Sequence, residues 1–219
     1  MDTYQAAMAT LALVMGIGWA SGVNLYLAVF VLGLAGAADS VVLPDGLAVL
    51  QEPVVIAAAG LMCLVEFLAD KTPGVDSGWD GLHTLIRIPA GALLAAGAAG
   101  ELAPLLEVAA GLLGGAVATI SHLSKAASRL LINMSPEPFS NWAASVSEDL
   151  LVLGALWAMF NYPLVFVALL VLFLAVALWL LPKMWQLLKE LYHRLRGALK
   201  GATPPARVAP APPRLEGPW

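Results

Sequence analysis

Apolar residues run along this chain in long stretches, parted by short polar clusters that carry nearly all the charge. Residues 3–38 and 150–182 contain no Asp, Glu, Lys or Arg, and each stretch exceeds the roughly 20 apolar residues that cross a bilayer as a helix. Breaks at Gly, Pro and acidic residues divide the apolar runs into six predicted helices, at about 7–36, 53–69, 79–100, 104–133, 141–160 and 163–181. Pro53, Pro104 and Pro163 stand at three of the starts, where the missing N–H loses no hydrogen bond. Pro89 lies inside the third helix and is expected to kink it or unwind a turn. After Pro182, Trp185, Leu188, Leu191, Tyr192, Leu195 and Leu199 recur at helical spacing with Lys and Arg between them. That pattern predicts an amphipathic helix over 183–201, lying on the cytoplasmic leaflet. Residues 202–219 are Pro-rich and read as a disordered tail.

Composition agrees. Of 219 residues 60% are hydrophobic and 12% charged, against about 45–50% and 25% in soluble domains, and mean hydropathy is +0.84. The expected fold is all-α, a polytopic bundle of about six transmembrane helices over 1–182, with lipid as its surroundings. One cysteine, Cys63, excludes a disulfide framework and any Cys-based zinc or iron–sulfur site. A net charge of −4, without basic residues interleaved with aromatics, argues against nucleic acid. The start, Met1-Asp2-Thr3-Tyr4, lacks a basic n-region and reads as the approach to a retained first span. With both termini cytoplasmic, every Lys and Arg from Lys71 to Arg214 falls on the cytoplasmic side, and the opposite loops hold only Asp39, Asp45, Glu52, Glu101 and Glu107. The positive-inside rule expects that partition.

A repeat is visible within the bundle. Thr72-Pro73-x-x-x-Ser77-x-Trp79 recurs as Ser135-Pro136-x-x-x-Ser140-x-Trp142, an offset of 63 residues (135 − 72). The offset superposes the second helix on the fourth and the third on the fifth, predicting two helix–turn–helix hairpins, about 53–100 and 104–160, as in many transporters. In each turn Thr72 or Ser135 ends one helix, Ser77 or Ser140 caps the next, and Trp79 or Trp142 anchors at headgroup level. As bare interfacial turns the motifs would need no further role.

The charges inside the spans ask for more. Glu66 and Asp70 share one face of the second helix, with Lys71 just beyond. Asp80, His83, Thr84 and Arg87 share one face of the third. His122, Lys125, Arg129 and Asn133 form a stripe on the fourth, and the fifth carries Ser145, Glu148 and Asp149. Charges at membrane depth cost a few kcal/mol each unless paired or hydrated, so these groups should face one another. The offset makes Glu66 and Arg129 equivalent, and an ion pair between them is the first expectation. On the first helix Gly18-x-x-x-Gly22 and Gly16-x-x-x-Ala20 permit close contact within the bundle or to a second copy; the former is favoured, and a homo-oligomer stays open. Ser21 and Asn24 lie on or near that face.

These residues carry a resemblance. The runs LVEFLADKTPGVDSGWDGLHTLIRIPAGALLAA, residues 64–96, and SHLSKAASRLLINMSPEPFSNWAASVSEDLLVLGALW, residues 121–157, resemble the two signatures of domain-of-unknown-function family 4126, over roughly residues 10–190. The resemblance implies a bacterial inner-membrane protein and assigns no activity to any residue.

The leading functional expectation is a transporter or channel for a small polar or anionic solute, its pathway lined by the charged residues above. Arg87, Lys125, Arg129 and the histidines would attract a small anion or an anionic lipid headgroup, and Glu66 would carry a coupling proton. The alternative is a scaffold or lipid-binding protein whose ion pairs are structural. A metal-dependent lipid-modifying enzyme, resting on Asp70, Asp76, Asp80, His83 and His122, is weaker. No HExxH, P-loop or G-x-S-x-G motif supports it, and no cofactor or resident metal is expected.

Overall fold

The computed structural model describes residues 3–201 except 73, 101–102 and 135–137, and for 138, 191–192 and 194–201 the backbone alone. Pro73, Ser135 and Pro136 of the turn motifs, Glu101, the tail from 202 and most side chains of the expected amphipathic face lie outside the described residues.

Six α-helices and one short 3-10 helix make up the described chain: α1 Thr3–Ala37, the 3-10 helix Asp45–Gln51, α2 Pro53–Ala69, α3 Val75–Ala98, α4 Pro104–Ile132, α5 Pro138–Asn161 and α6 Pro163–Gly201. Five are long and apolar enough to cross a membrane; the 3-10 helix and α2, bent by 69° to one another, make a sixth span if counted together. Pro53, Pro104 and Pro163 do open α2, α4 and α6. α6 runs unbroken through Pro182 to Gly201, whereas the sequence pattern places a boundary there.

The distribution of side chains is that of a protein dissolved in lipid. Leu85 is 80% exposed and Leu112 73%, while Arg87, Glu66 and Arg129 are wholly buried. In water that arrangement would forfeit the transfer energy of many Leu side chains; in hydrocarbon it is the stable one.

α3 packs most extensively on α4, and α1 lies across both. Their contact faces are stripes of fixed spacing. On α3 the buried positions are Asp76, Asp80, His83 and Arg87, then Gly91, Ala95 and Ala98; on α4 they run from Ala110, Gly114, Val117 and Ala118 to Ser121, His122, Lys125 and Arg129. Each stripe is charged in the half nearest the turn residues Asp70 and Asn133 and small in the other half. A Cβ on Gly18 of α1 would come 2.6 Å from the carbonyl oxygen of Gly114, so the small residues of α1 serve contact inside the chain. Beyond them an apolar core joins Ile17 and Trp19 to Val152, Leu156, Met159, Phe166 and Leu170.

Two helices depart from expectation. α3 continues through Pro89 as a single helix. The break is in α1, at Asn24, whose φ of −147° and ψ of 93° are not helical. Asn24 Oδ1 accepts the N–H of Leu27 at 3.0 Å, as an N-cap does for the helix that follows it. In an unbroken helix that N–H would bond to Val23 O; here Val23 O accepts the Lys125 ammonium instead, at 3.1 Å.

Candidate functional site

The turn-side halves of α2 to α5 bring the buried charges into one column. Near the turns, Asp76 accepts hydrogen bonds from the N–H groups of Gly74 (2.9 Å) and Ser77 (2.6 Å) and from Asn133 Nδ2 at 2.8 Å. Asn133 Oδ1 in turn accepts from Asn141 Nδ2 at 2.7 Å. Gly74 takes a φ of 84°, which only glycine adopts cheaply. α3 starts there, so Ser77 sits inside the first turn rather than capping it, and its hydroxyl accepts from Asn133 at 2.8 Å. Ser140 likewise lies within α5, which begins at Pro138.

One level deeper, Arg129 binds Glu148 at 2.7 Å and approaches Asp70 at 3.6 Å. Its other nitrogen donates to the backbone oxygens of Asp70 (3.2 Å) and Asn141 (3.1 Å). Lys125 binds Asp70 at 2.8 Å and lies 3.6 Å from Glu148. Deepest, Arg87 pairs with Glu66 and, at 2.9 Å, with Asp80; Lys125 also reaches Glu66 at 3.4 Å. Arg87 stands 87 − 75 = 12 residues into α3, roughly 18 Å along its axis.

The expected Glu66–Arg129 pair is therefore replaced. Glu66 takes Arg87 and Lys125, and Arg129 takes Glu148 and Asp70. The physical reason is reach: each long basic side chain pairs with the acids that helix packing sets beside it, and sequence equivalence does not imply contact.

Hydrogen bonds engage both ring nitrogens of each histidine of the column. His83 Nδ1 donates to Trp79 O at 2.9 Å, and its Nε2 shares a hydrogen bond with the Tyr26 hydroxyl at 3.0 Å. Thr84 donates its hydroxyl to Asp80 O at 3.0 Å, so His122 Nε2 donates to Thr84 Oγ1 at 2.8 Å. That leaves His122 Nδ1 to accept from Arg87 at 3.4 Å. Trp79 stacks on His83, centroids 4.2 Å apart. Asp149 accepts from Asn24 Nδ2 at 3.0 Å, tying the α1 break to α5. Lys71 stays outside the ion pairs: its ammonium lies over the Phe67 ring and donates to Phe67 O at 3.3 Å and to Ser145 at 3.5 Å, and burial pulls it below the usual lysine value. Trp142 is exposed, with Lys71 5.7 Å from its ring.

The groups considered for a divalent cation do not converge. Asp76, Asp80, His83 and His122 are engaged as described, and among the described residues no three His, Cys, Asp or Glu are arranged to hold a metal. Cys63 is a free, half-buried thiol.

A family model described as a domain of unknown function, DUF4126, matches residues 11–183. The chain belongs to that family. No curated protein and no solved structure matches it. The DUF4126 match takes in the whole column, from Val23 to Asp149, and both signature runs read from the sequence. Asn24 was placed on or near the small-residue face of α1, but its break was missed; its signal is an N-capping residue type inside an uncharged helix. For Tyr26 the sequence carries no signal, because a lone aromatic in a span is ordinary packing.

Proposed function

We propose that this protein is a membrane transporter that passes a small polar solute along the buried column, using the break in α1 as its moving joint. The observation that carries the reading is the break itself. Irregular backbone at membrane depth persists only where protein or a solute path satisfies it, and transporters place their sites at such interrupted helices. Here the freed carbonyl of Val23 and the capping Asn24 both face the ion network. The closed column corresponds to an occluded state, and its turn end faces the cytoplasm on the positive-inside distribution.

Helix boundaries support the repeat as the frame of the pathway. α3 and α5 end 63 residues apart (98 and 161), as do α2 and α4 (69 and 132). Within each hairpin the descending helix pairs with the ascending one, Glu66 with Arg87 and Arg129 with Glu148, the signs reversed.

The pairing narrows the solute. Arg87, Lys125 and Arg129 already hold carboxylates, so an anion would have to displace one; a small polar molecule with hydrogen-bond donors suits the column better. One observation favours the scaffold reading: three cavities of about 300–440 Å³ are lined by other residues, not by the ion pairs. Flux into proteoliposomes separates the two. Wild-type protein should move a solute from a panel of small polar molecules and ions, and Lys125→Gln should lose that flux while remaining helical and monodisperse. A wild-type protein that moves nothing, together with a melted Lys125→Gln variant, would leave the scaffold.

A further inference from the structure

The charges of the column do not balance. Glu66, Asp70, Asp80 and Glu148 face Arg87, Lys125 and Arg129 through a continuous chain of ion pairs. That is four carboxylates against three cations. Six of the seven side chains are at most 3% exposed, and Glu148 is 17% exposed.

With His83 and His122 as neutral rings, nothing packed around the cluster supplies the missing positive charge. From α1 come the carbonyl of Val23 and the phenol of Tyr26. From α3 and α4 come His83, held between Trp79 O and the Tyr26 hydroxyl, and His122, held between Thr84 and Arg87. α5 adds Asp149, which enlarges the surplus, although Asn24 donates to it. At the end of α2, Lys71 lies over Phe67 and is attracted by Asp149 and Asp70, so it offsets Asp149 and leaves the surplus at one. Asp76 at the turn end is already served by two N–H groups and Asn133.

A second observation is independent of the count. Glu66 Oε2, Asp70 Oδ1 and Asp80 Oδ2 are each buried and accept no hydrogen bond. A buried acceptor left without a donor is disfavoured, and so is an uncompensated buried charge. A hydrogen on one of these oxygens removes the uncompensated charge and needs no cavity.

We propose that the Glu66, Asp70 and Asp80 carboxylates around Lys125 bind one exchangeable proton, and that this proton is the coupling ion of the transporter. The proton comes from water at the turn end of the column and returns there or to the far side; its departure leaves the cluster with one net negative charge. The coupling role rests on the transport reading, whereas the bound proton does not.

The test uses the full chain in lipid nanodiscs. Infrared spectra at neutral pH should show the carbonyl stretch of a protonated carboxylic acid, moving to lower frequency in D2O. Glu66→Gln, Asp70→Asn and Asp80→Asn each restore charge balance without loss of side-chain volume, so each should abolish the band; Glu107→Gln, on an exposed residue, should not. Loss in one or two variants only would place the proton on those residues and keep the proposal. A wild-type spectrum without the band, a band that survives all three changes, or one that sodium or potassium removes at constant pH overturns it. A band that behaves as expected in a protein that moves no solute would keep the proton site and end the transport reading. Solute flux indifferent to a pH gradient, with no band, would end this inference alone.

Discussion

The pairing of Glu66 with Arg87 is open to a direct energetic test, because both side chains are wholly buried and each has a different second partner. Glu66→Ala leaves Arg87 on Asp80 at 2.9 Å and Lys125 on Asp70 at 2.8 Å, so its cost belongs at the lower end for a broken buried pair, about 3 kcal/mol. Arg87→Ala strands two carboxylates, Glu66 and Asp80, which retain only Lys125 at 3.4 and 3.9 Å. Its cost belongs at the upper end, about 5 kcal/mol. The double variant should cost less than the sum by about 2 kcal/mol, within the range measured for residues in contact. A parallel cycle on Glu66 and Arg129, which share no bond and connect only through Lys125 and Asp70, should show a coupling clearly smaller than that of Glu66 with Arg87. Equilibrium unfolding in mixed micelles, followed by helical circular dichroism and tryptophan fluorescence, measures both cycles. Additivity for Glu66 and Arg87 combined with coupling between Glu66 and Arg129 would refute the pairing.

Two further perturbations test the geometry of α1. Asn24→Leu removes the cap on Leu27 and the donor to Asp149, which together should lower stability by about 3 kcal/mol; an unchanged thermal midpoint would show that the break is not held by Asn24. Gly18→Ala puts a Cβ 2.6 Å from Gly114 O and 2.8 Å from Gly114 Cα, and the forced separation of α1 from α4 should cost about 2 kcal/mol or more. Gly154→Ala, with open space around the added carbon, should leave the same melt unchanged.

Much of this was legible from local pattern. Hydrocarbon cannot hydrogen-bond a chain, so the uncharged run at 3–38 had to become α1, and the run at 150–182 the second half of α5 and the first half of α6. Spacing of three and four put Asp80, His83 and Arg87 on one face, and His122, Lys125 and Arg129 on another; charges at that depth then had to meet. Helix starts were less legible. The Ser-x-Trp motifs suggested capping at Ser77, but Gly74 can take a positive φ and Asp76 can accept two N–H groups, and α3 begins earlier.

What the sequence by itself determined is the class of fold and the two polar faces, because span length and helical periodicity depend only on near neighbours along the chain. Only the tertiary structure decided which charges pair and which helix breaks. Glu66 and Arg129 are equivalent by the 63-residue offset, yet Arg87 is the cation that packing carries to Glu66. Pro89 carries the strongest local signal for a break, yet α3 stays whole. α1 opens at Asn24 instead, where Lys125 can take the freed carbonyl and Asp149 the amide. At membrane depth a backbone break is stable only where other helices bring partners for the groups at it, and those partners lie 102 (125 − 23) and 125 (149 − 24) residues away along the chain.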